Sequence, residues 1–212
     1  VKNINFNLST GGAISGKITK DDGSSFLEYE VQLAVYSVAD GYQISSGYID
    51  SLGSFTIKKL NTGSYKLKAE YYGYENYVST WYINSYSINE AEVIQVIKGD
   101  TVENINFSLL PGGSVSGNIA ANGTYSPGNV IAFDEDMNYI AGYYTYTSEN
   151  YLIERLPPGD YKVLAAFELY KTQWYDNKDD FESADWVTVI PNATTENIDF
   201  NLQQSPPQEW AT

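Results

Sequence analysis

Trp81-Tyr82-Ile83-Asn84 opens a stretch that runs on to Phe107-Ser108-Leu109, and it returns without a gap as Trp174-Tyr175-Asp176-Asn177 through Phe200-Asn201-Leu202. Of these 29 aligned positions 12 are identical, among them Trp81/Trp174, Tyr82/Tyr175, Asn84/Asn177, Asn104/Asn197, Phe107/Phe200 and Leu109/Leu202. The heads of the two copies match as well, since Gly11-Gly12-Ala13-Ile14-Ser15-Gly16 reads like Gly112-Gly113-Ser114-Val115-Ser116-Gly117. A period of roughly 100 residues is too long for a solenoid unit and has the size of a small domain. The chain is therefore read as two copies of one module. Residues held in both copies are scaffold, and residues that differ are the candidates for a local role.

Within each copy the apolar residues alternate over short runs: Ile14-Ser15-Gly16-Lys17-Ile18, Val31-Gln32-Leu33-Ala34-Val35, Tyr65-Lys66-Leu67-Lys68-Ala69 and Ile105-Asn106-Phe107-Ser108-Leu109. Strict alternation places one face of a strand in a core and the other in solvent. No window carries a sustained helical stripe. About seven strands per 100 residues, with turns every 8 to 12, predict an all-β chain of two tandem Ig-like or transthyretin-like β-sandwiches. Leu60-x-x-Gly63-x-Tyr65 and Leu156-Pro157-Pro158-Gly159-x-Tyr161 repeat one turn signal. There the tyrosine ring enters the core and its hydroxyl bonds a backbone group close by, as in the tyrosine corner of sandwich folds.

Composition narrows the chemistry. The 212 residues are 42% apolar and 15% aromatic, as expected of folded domains, and carry a formal charge of −15 with a pI near 4.2. That charge argues against nucleic acid or an anionic membrane as partner, and no stretch approaches the roughly 18 to 20 apolar residues of a spanning helix. There are no cysteines and no histidines. Disulfides, thiolate zinc sites, Ser-His triads and His-ligated metals are thereby excluded. Carboxylate pairs alone do not make a glycosidase site, and the chain is read as non-enzymatic.

The string Gly53-Ser54-Phe55-Thr56-Ile57, Leu60-x-x-Gly63-x-Tyr65-x-Leu67-x-Ala69, preceded by Gly-x-x-x-Gly in the first strand, resembles the carboxypeptidase regulatory-like domain. Tyr151-Leu152-Ile153, Leu156-Pro157-Pro158-Gly159-x-Tyr161-x-Val163-x-Ala165 carries the same string in the second copy, with Asn150 taken as the counterpart of Gly53. The resemblance covers nearly the whole chain. It implies a transthyretin-like sandwich used as an accessory module, and no catalytic or ligand residue comes with it. A second resemblance, to the B-type repeats of surface adhesins, yields no Lys, Asn and acid trio at matching places, so no isopeptide bond is expected.

The expected limits are a repeat-tail strand at 1–8, a first sandwich at 9–110, a second at 111–204 and a linker at 205–212. Val1-Lys2-Asn3-Ile4-Asn5-Phe6-Asn7-Leu8 copies Val102 to Leu109, and is read as the end of a repeat that continues upstream. It is also a candidate for strand exchange with a neighbouring chain. Copy two follows copy one at Pro111-Gly112-Gly113 with no flexible linker, which is expected to restrict the two modules.

Twenty tyrosines and four tryptophans exceed what two small cores need, and flat aromatic faces beside carboxylates and amides suit saccharides. Trp174, Tyr175, Asp176 and Asn177 have that composition, although Trp174 repeats Trp81 and fits a buried role equally well. Trp186 stands where copy one has Val93. If Val187 and Val189 face inward, it faces out. Tyr144 and Tyr146 share one face of a strand. Asp134-Glu135-Asp136-Met137-Asn138 has the Asp-x-Asp-x-Asn spacing of a calcium loop, without its glycine or flanking helices. It reads first as an acidic hairpin, with Asp134, Asp136 and Asn138 as calcium candidates. The expected function is a non-catalytic module of a secreted, bacterial, multidomain protein, extracellular or on the cell surface. It would bind polysaccharide, or another surface protein, through exposed aromatics. The alternative is a spacer, stalk or filament repeat.

Overall fold

The computed structural model describes residues 10–121, 126–146 and 150–205. The octet Val1 to Leu8, with the strand exchange expected of it, lies outside the described residues, as does the tail at 206–212. The chain divides into two compact units, Val1–Leu110 and Pro111–Thr212. Among the described residues there is no helix.

Unit 1 contains β1 (Gly12–Lys20), β2 (Val31–Ser37), β3 (Gln43–Tyr48), β4 (Ser54–Leu60), β5 (Gly63–Tyr71), β6 (Thr80–Trp81), β7 (Ile94–Val96), β8 (Thr101–Val102) and β9 (Phe107–Leu109). Unit 2 repeats them one for one as β10 (Gly113–Ala121), β11 (Gly128–Phe133), β12 (Tyr139–Thr145), β13 (Asn150–Leu156), β14 (Gly159–Phe167), β15 (Gln173–Trp174), β16 (Val187–Val189), β17 (Thr194–Thr195) and β18 (Phe200–Leu202). The strands outnumber the seven expected because the last third of each unit is broken into two- and three-residue pieces by turns.

In unit 1 one sheet has the order β4-β1-β8, with β9 also on β1, and the other β3-β2-β5-β6, with β7 on β5. Ile14, Ile18, Phe55 and Ile57 from the first sheet meet Val31, Leu33, Val35, Leu67 and Ala69 from the second in one core. Unit 2 closes the same way around Val115, Ile119, Ile153, Val130, Val163 and Ala165. The tyrosine corners take the form their spacing predicts. Tyr65 Oη donates to Asn61 O at 2.9 Å and Tyr161 Oη to Pro157 O at 2.7 Å, with both rings buried.

The closing strands dock in parallel on the opening strand. Ala13 and Ile14 pair with Thr101 and Val102, and Ile18 to Lys20 pair with Phe107 to Leu109. Between these two short ladders Ile105 N donates to Ser15 O at 3.1 Å, and Asn106 Oδ1 accepts from Lys17 N at 2.9 Å. Unit 2 does the same with Ile198 N to Ser116 O at 3.1 Å and Asp199 Oδ1 from Asn118 N at 2.8 Å. This close approach explains Gly16 and Gly117. A Cβ there would stand 1.9 Å from Ile105 O and 2.0 Å from Ile198 O respectively.

Two readings are corrected. Asn150 pairs with Asn118 as Ser54 pairs with Lys17, so it is the counterpart of Ser54 and not of Gly53. Ser205, the first residue of the expected linker, is tied down, because its N–H donates to Leu169 O at 3.0 Å, beside the bond from Lys171 N to Gln203 O at 2.9 Å. Unpaired backbone beside a core is costly, and here the tail and the 169–171 loop satisfy each other. Gly16→Ala is expected to destabilise unit 1 by at least about 2 kcal/mol, because a methyl group has to displace backbone. Urea denaturation measures it, and a midpoint within error of wild type would show that the last strand tolerates a shift.

Candidate functional site

Val163 and Leu164 point to opposite faces of β14, and the strand that follows inherits the choice. Leu164 pairs with Trp174, so Trp174 lies on the outer face of the sheet and Tyr175 on the inner one. Tyr175 packs against the core with its ring 6.4 Å from that of Phe200. Burial, then the neighbouring Asp176 and Asp185 carboxylates, push its hydroxyl above the ordinary tyrosine range. Trp174 is 8% exposed, yet it is absent from the sandwich core. It is covered on the outside by Phe133 at 5.4 Å and Phe181 at 5.3 Å between ring centroids. Trp81 repeats this placement against Tyr36 at 5.0 Å. The repeated tryptophan is therefore buried in a second, external layer. It presents no open face to a ligand.

Asp176 and Asn177 build a turn. The Tyr175–Asp176 peptide is cis and Asn177 has φ 55°, as Tyr82–Ile83 is cis and Asn84 has φ 59° in the other copy. Asn enters this left-handed region more readily than other side chains, which accounts for its identity in both copies. Asn177 Nδ2 donates to Asp176 Oδ1 at 2.5 Å, so the two polar groups bond each other. Asp180 closes the next turn, where the Ser183 N–H and hydroxyl hold its carboxyl below the usual range.

Lys162 was not singled out in the sequence, and it organises this loop. The side chain leaves the outer face of β14 and is 5% exposed. Its ammonium donates to Phe181 O and, at 3.1 Å, to Glu182 O, and lies 4.5 Å from the Phe181 ring centroid and 4.7 Å from that of Trp186. Lys66, at the same register in unit 1, donates to Ile88 O and Asn89 O. The lysine clamp on the loop is thus copied, and the aromatic walls are not. Isoleucine and valine stand at 88 and 93 in unit 1. The missed signal was available, since Tyr65-Lys66 and Tyr161-Lys162 match.

Trp186 is 47% exposed while Val187 and Val189 are buried. One edge of its ring is engaged with Phe181 at 6.4 Å. It borders a groove of about 650 Å³ with Asp134, Glu135, Asp160, Tyr161 and Thr188. Asp160 Oδ1 accepts from Thr188 Oγ1 at 2.6 Å. Asp134 is committed to its own hairpin: its carboxylate accepts from the N–H groups of Asp136 and Asn138 and from Asn138 Nδ2, at 3.0, 2.8 and 3.0 Å. Among the described residues no three acidic side chains converge on a point that suits a metal ion.

Tyr144 and Tyr146, 53% and 52% exposed, have rings 4.9 Å apart at 86°. Perpendicular rings do not form one flat platform. Tyr144 pairs with Asn129, which pairs with Ala166, whereas Val187 beside Trp186 pairs with Tyr161. Five residues of strand separate these positions, roughly 17 Å. The predicted aromatic residues therefore do not form one site. Trp174 and Tyr175 are scaffold, Asp176 and Asn177 make a turn, and Trp186 and the tyrosine pair are separate surface features.

No family model and no curated protein matches this chain. Among solved structures, it is similar to a streptococcal ancillary pilin at 13% identity and a TM-score of 0.42, covering 95% of this chain and 64% of that one. The minor pilin GBS52 of Streptococcus agalactiae gives 9% and 0.41, covering 95% and 99%. The TIE protein of Bacillus anthracis gives 12% and 0.38, and the chain spans 34% of its length against 91% of its own. At such scores the likeness carries no argument about function or partners.

Lys162→Met is expected to cost about 2 kcal/mol, since two carbonyls and two ring faces lose their cation. Lys66→Met, without the rings, costs less. Chemical denaturation ranks the two variants, and faster amide exchange over 178–185 in Lys162→Met locates the effect.

Proposed function

We propose that the chain is a non-catalytic, tension-carrying spacer: two carboxypeptidase regulatory-like sandwiches in series within a bacterial protein at the cell surface or outside the cell. One observation carries the reading. In both units the first and last strands are neighbours and run parallel. The chain enters unit 1 beside Gly12 and leaves at Leu109, opposite Lys20. These points are the two ends of β1, roughly 25–30 Å apart. Tension applied through the chain slides β8 and β9 along β1, so it acts on all their hydrogen bonds together. An antiparallel terminal pair would instead open one bond at a time. Unit 2 repeats the arrangement with β10, β17 and β18.

Pulling the chain from its two ends is expected to give two discrete force peaks, each releasing about 300 Å of contour length. Asn106→Ala and Asp199→Ala, which remove the side-chain bonds between last and first strands, should lower the peak of their own unit. Extension without two discrete peaks sinks the spacer reading.

A second reading keeps polysaccharide, or another surface protein, as a ligand of unit 2. It is favoured by the half-exposed Trp186 ring beside the groove with Asp134, Glu135 and Asp160. A polysaccharide-containing native gel that slows wild type but not Trp186→Ala supports it, and equal migration of the two removes it.

A further inference from the structure

The outer face of the β3-β2-β5-β6 sheet in unit 1 differs from its copy in a consistent way. Across this face Gln32 pairs with Tyr48 on one side and with Glu70 on the other, and Ala34 pairs with Ser46 and Lys68. The matching positions of unit 2, by the same register, are Asn129 between Tyr144 and Ala166, and Ile131 between Gly142 and Leu164. Unit 2 thus folds with leucine and alanine where unit 1 has Lys68 and Glu70. The charged pair is not required by the sandwich.

These side chains form two bonded groups, and the backbone pairing of Gln32 with Glu70 sets the groups side by side. Gln32 Nε2 donates to Tyr48 Oη at 3.0 Å, and Tyr72 Oη donates to Glu70 Oε2 at 3.0 Å. Lys68 Nζ is 3.5 Å from Glu70 Oε1 and lies 5.6 Å from the Trp81 ring centroid. Lys68 and Glu70 are partly buried, and the Tyr48 and Tyr72 rings beside them are 60% and 62% exposed. Ordering such side chains costs rotamer entropy, and a surface ion pair returns little of it. The ion pair by itself therefore does not account for the ordering of these side chains.

We propose that this face binds a neutral polysaccharide chain. The two exposed tyrosine rings offer apolar faces for the C–H surface of pyranose units. The Gln32 amide and Glu70 carboxylate between them, and the Lys68 ammonium beyond Glu70, offer acceptors and donors for ring hydroxyls. Charge selects against an ionic ligand. The chain as a whole carries −15, which repels anions, whereas here one ammonium cancels one carboxylate and leaves no excess charge to hold a cation. The face is open and follows the sheet, which suits the side of a long chain rather than its end.

Native gels cast with hydroxyethylcellulose, galactomannan or glycogen test this on the intact chain. Wild type is expected to be slowed in at least one of them. Tyr48→Ala with Tyr72→Ala should weaken that association roughly tenfold, and Lys68→Leu with Glu70→Ala should do the same. The second pair installs the residues unit 2 already carries at these positions, so loss of fold is not at issue, and an unchanged melting temperature confirms it. Trp186→Ala should be slowed like wild type. No retardation of wild type in any of the three gels, or retardation that survives both double variants, overturns the proposal. The force measurement on the spacer is unaffected by either result.

Discussion

The contact of the last strand with the first at Gly16 and Gly117 is the constraint from which the rest of each unit follows. A backbone carbonyl occupies the space of the missing Cβ, so the closing segment lies flush on the opening strand and hydrogen-bonds to it in parallel. The approach joins chain ends separated by about 90 residues of sequence. Once it is made, β4 must take the other side of the first strand, and the second sheet has one face left to cover. Asn106 and Asp199 belong to the same constraint, since each supplies a side-chain acceptor where the ladder is interrupted. The spacer role proposed above rests on the same parallel pairing.

Outside the sandwich each unit has a second layer, in which a loop is strapped over the outer sheet face. Lys66 and Lys162 hold it by backbone carbonyls, and Trp81 and Trp174 form its floor. An ammonium taken out of water needs acceptors, and two loop carbonyls provide them in each unit whatever side chains the loop carries. This is why the loop sequence diverges between copies while the lysine and tryptophan persist. In unit 2 the divergence placed Phe181 and Trp186 around the ammonium. In unit 1 the neighbouring strands carry a polar and aromatic face instead. The two copies differ most where neither fold requirement reaches.

Much of the sandwich was legible because its signals are local. Alternation along β1, β2, β5 and β9 set which residues face inward, and the Gly-x-Tyr spacing announced both tyrosine corners. The candidate site was less legible. The Trp174-Tyr175 pair shows only that the two rings oppose each other. Whether the outward one is open to solvent depends on the loop that folds back from Phe181, and no local pattern encodes that. The spacing of Tyr144 and Tyr146 predicts one face of a strand, but β12 ends at Thr145 and Tyr146 lies in the bend beyond it, and the angle between their rings is set by packing.

The duplication, the all-β architecture, the inward faces of the longer strands and the exclusion of histidine and cysteine chemistry are all readable from the order of residues. These rest on periodicity and composition, which need no knowledge of distant neighbours. The folded sheets add that Trp174 is covered, that Trp186 and the tyrosine pair stand apart, and that Lys68 and Glu70 meet near two exposed rings. Exposure and convergence are properties of surfaces assembled from strands far apart in sequence, and they come into being only when the sheets close.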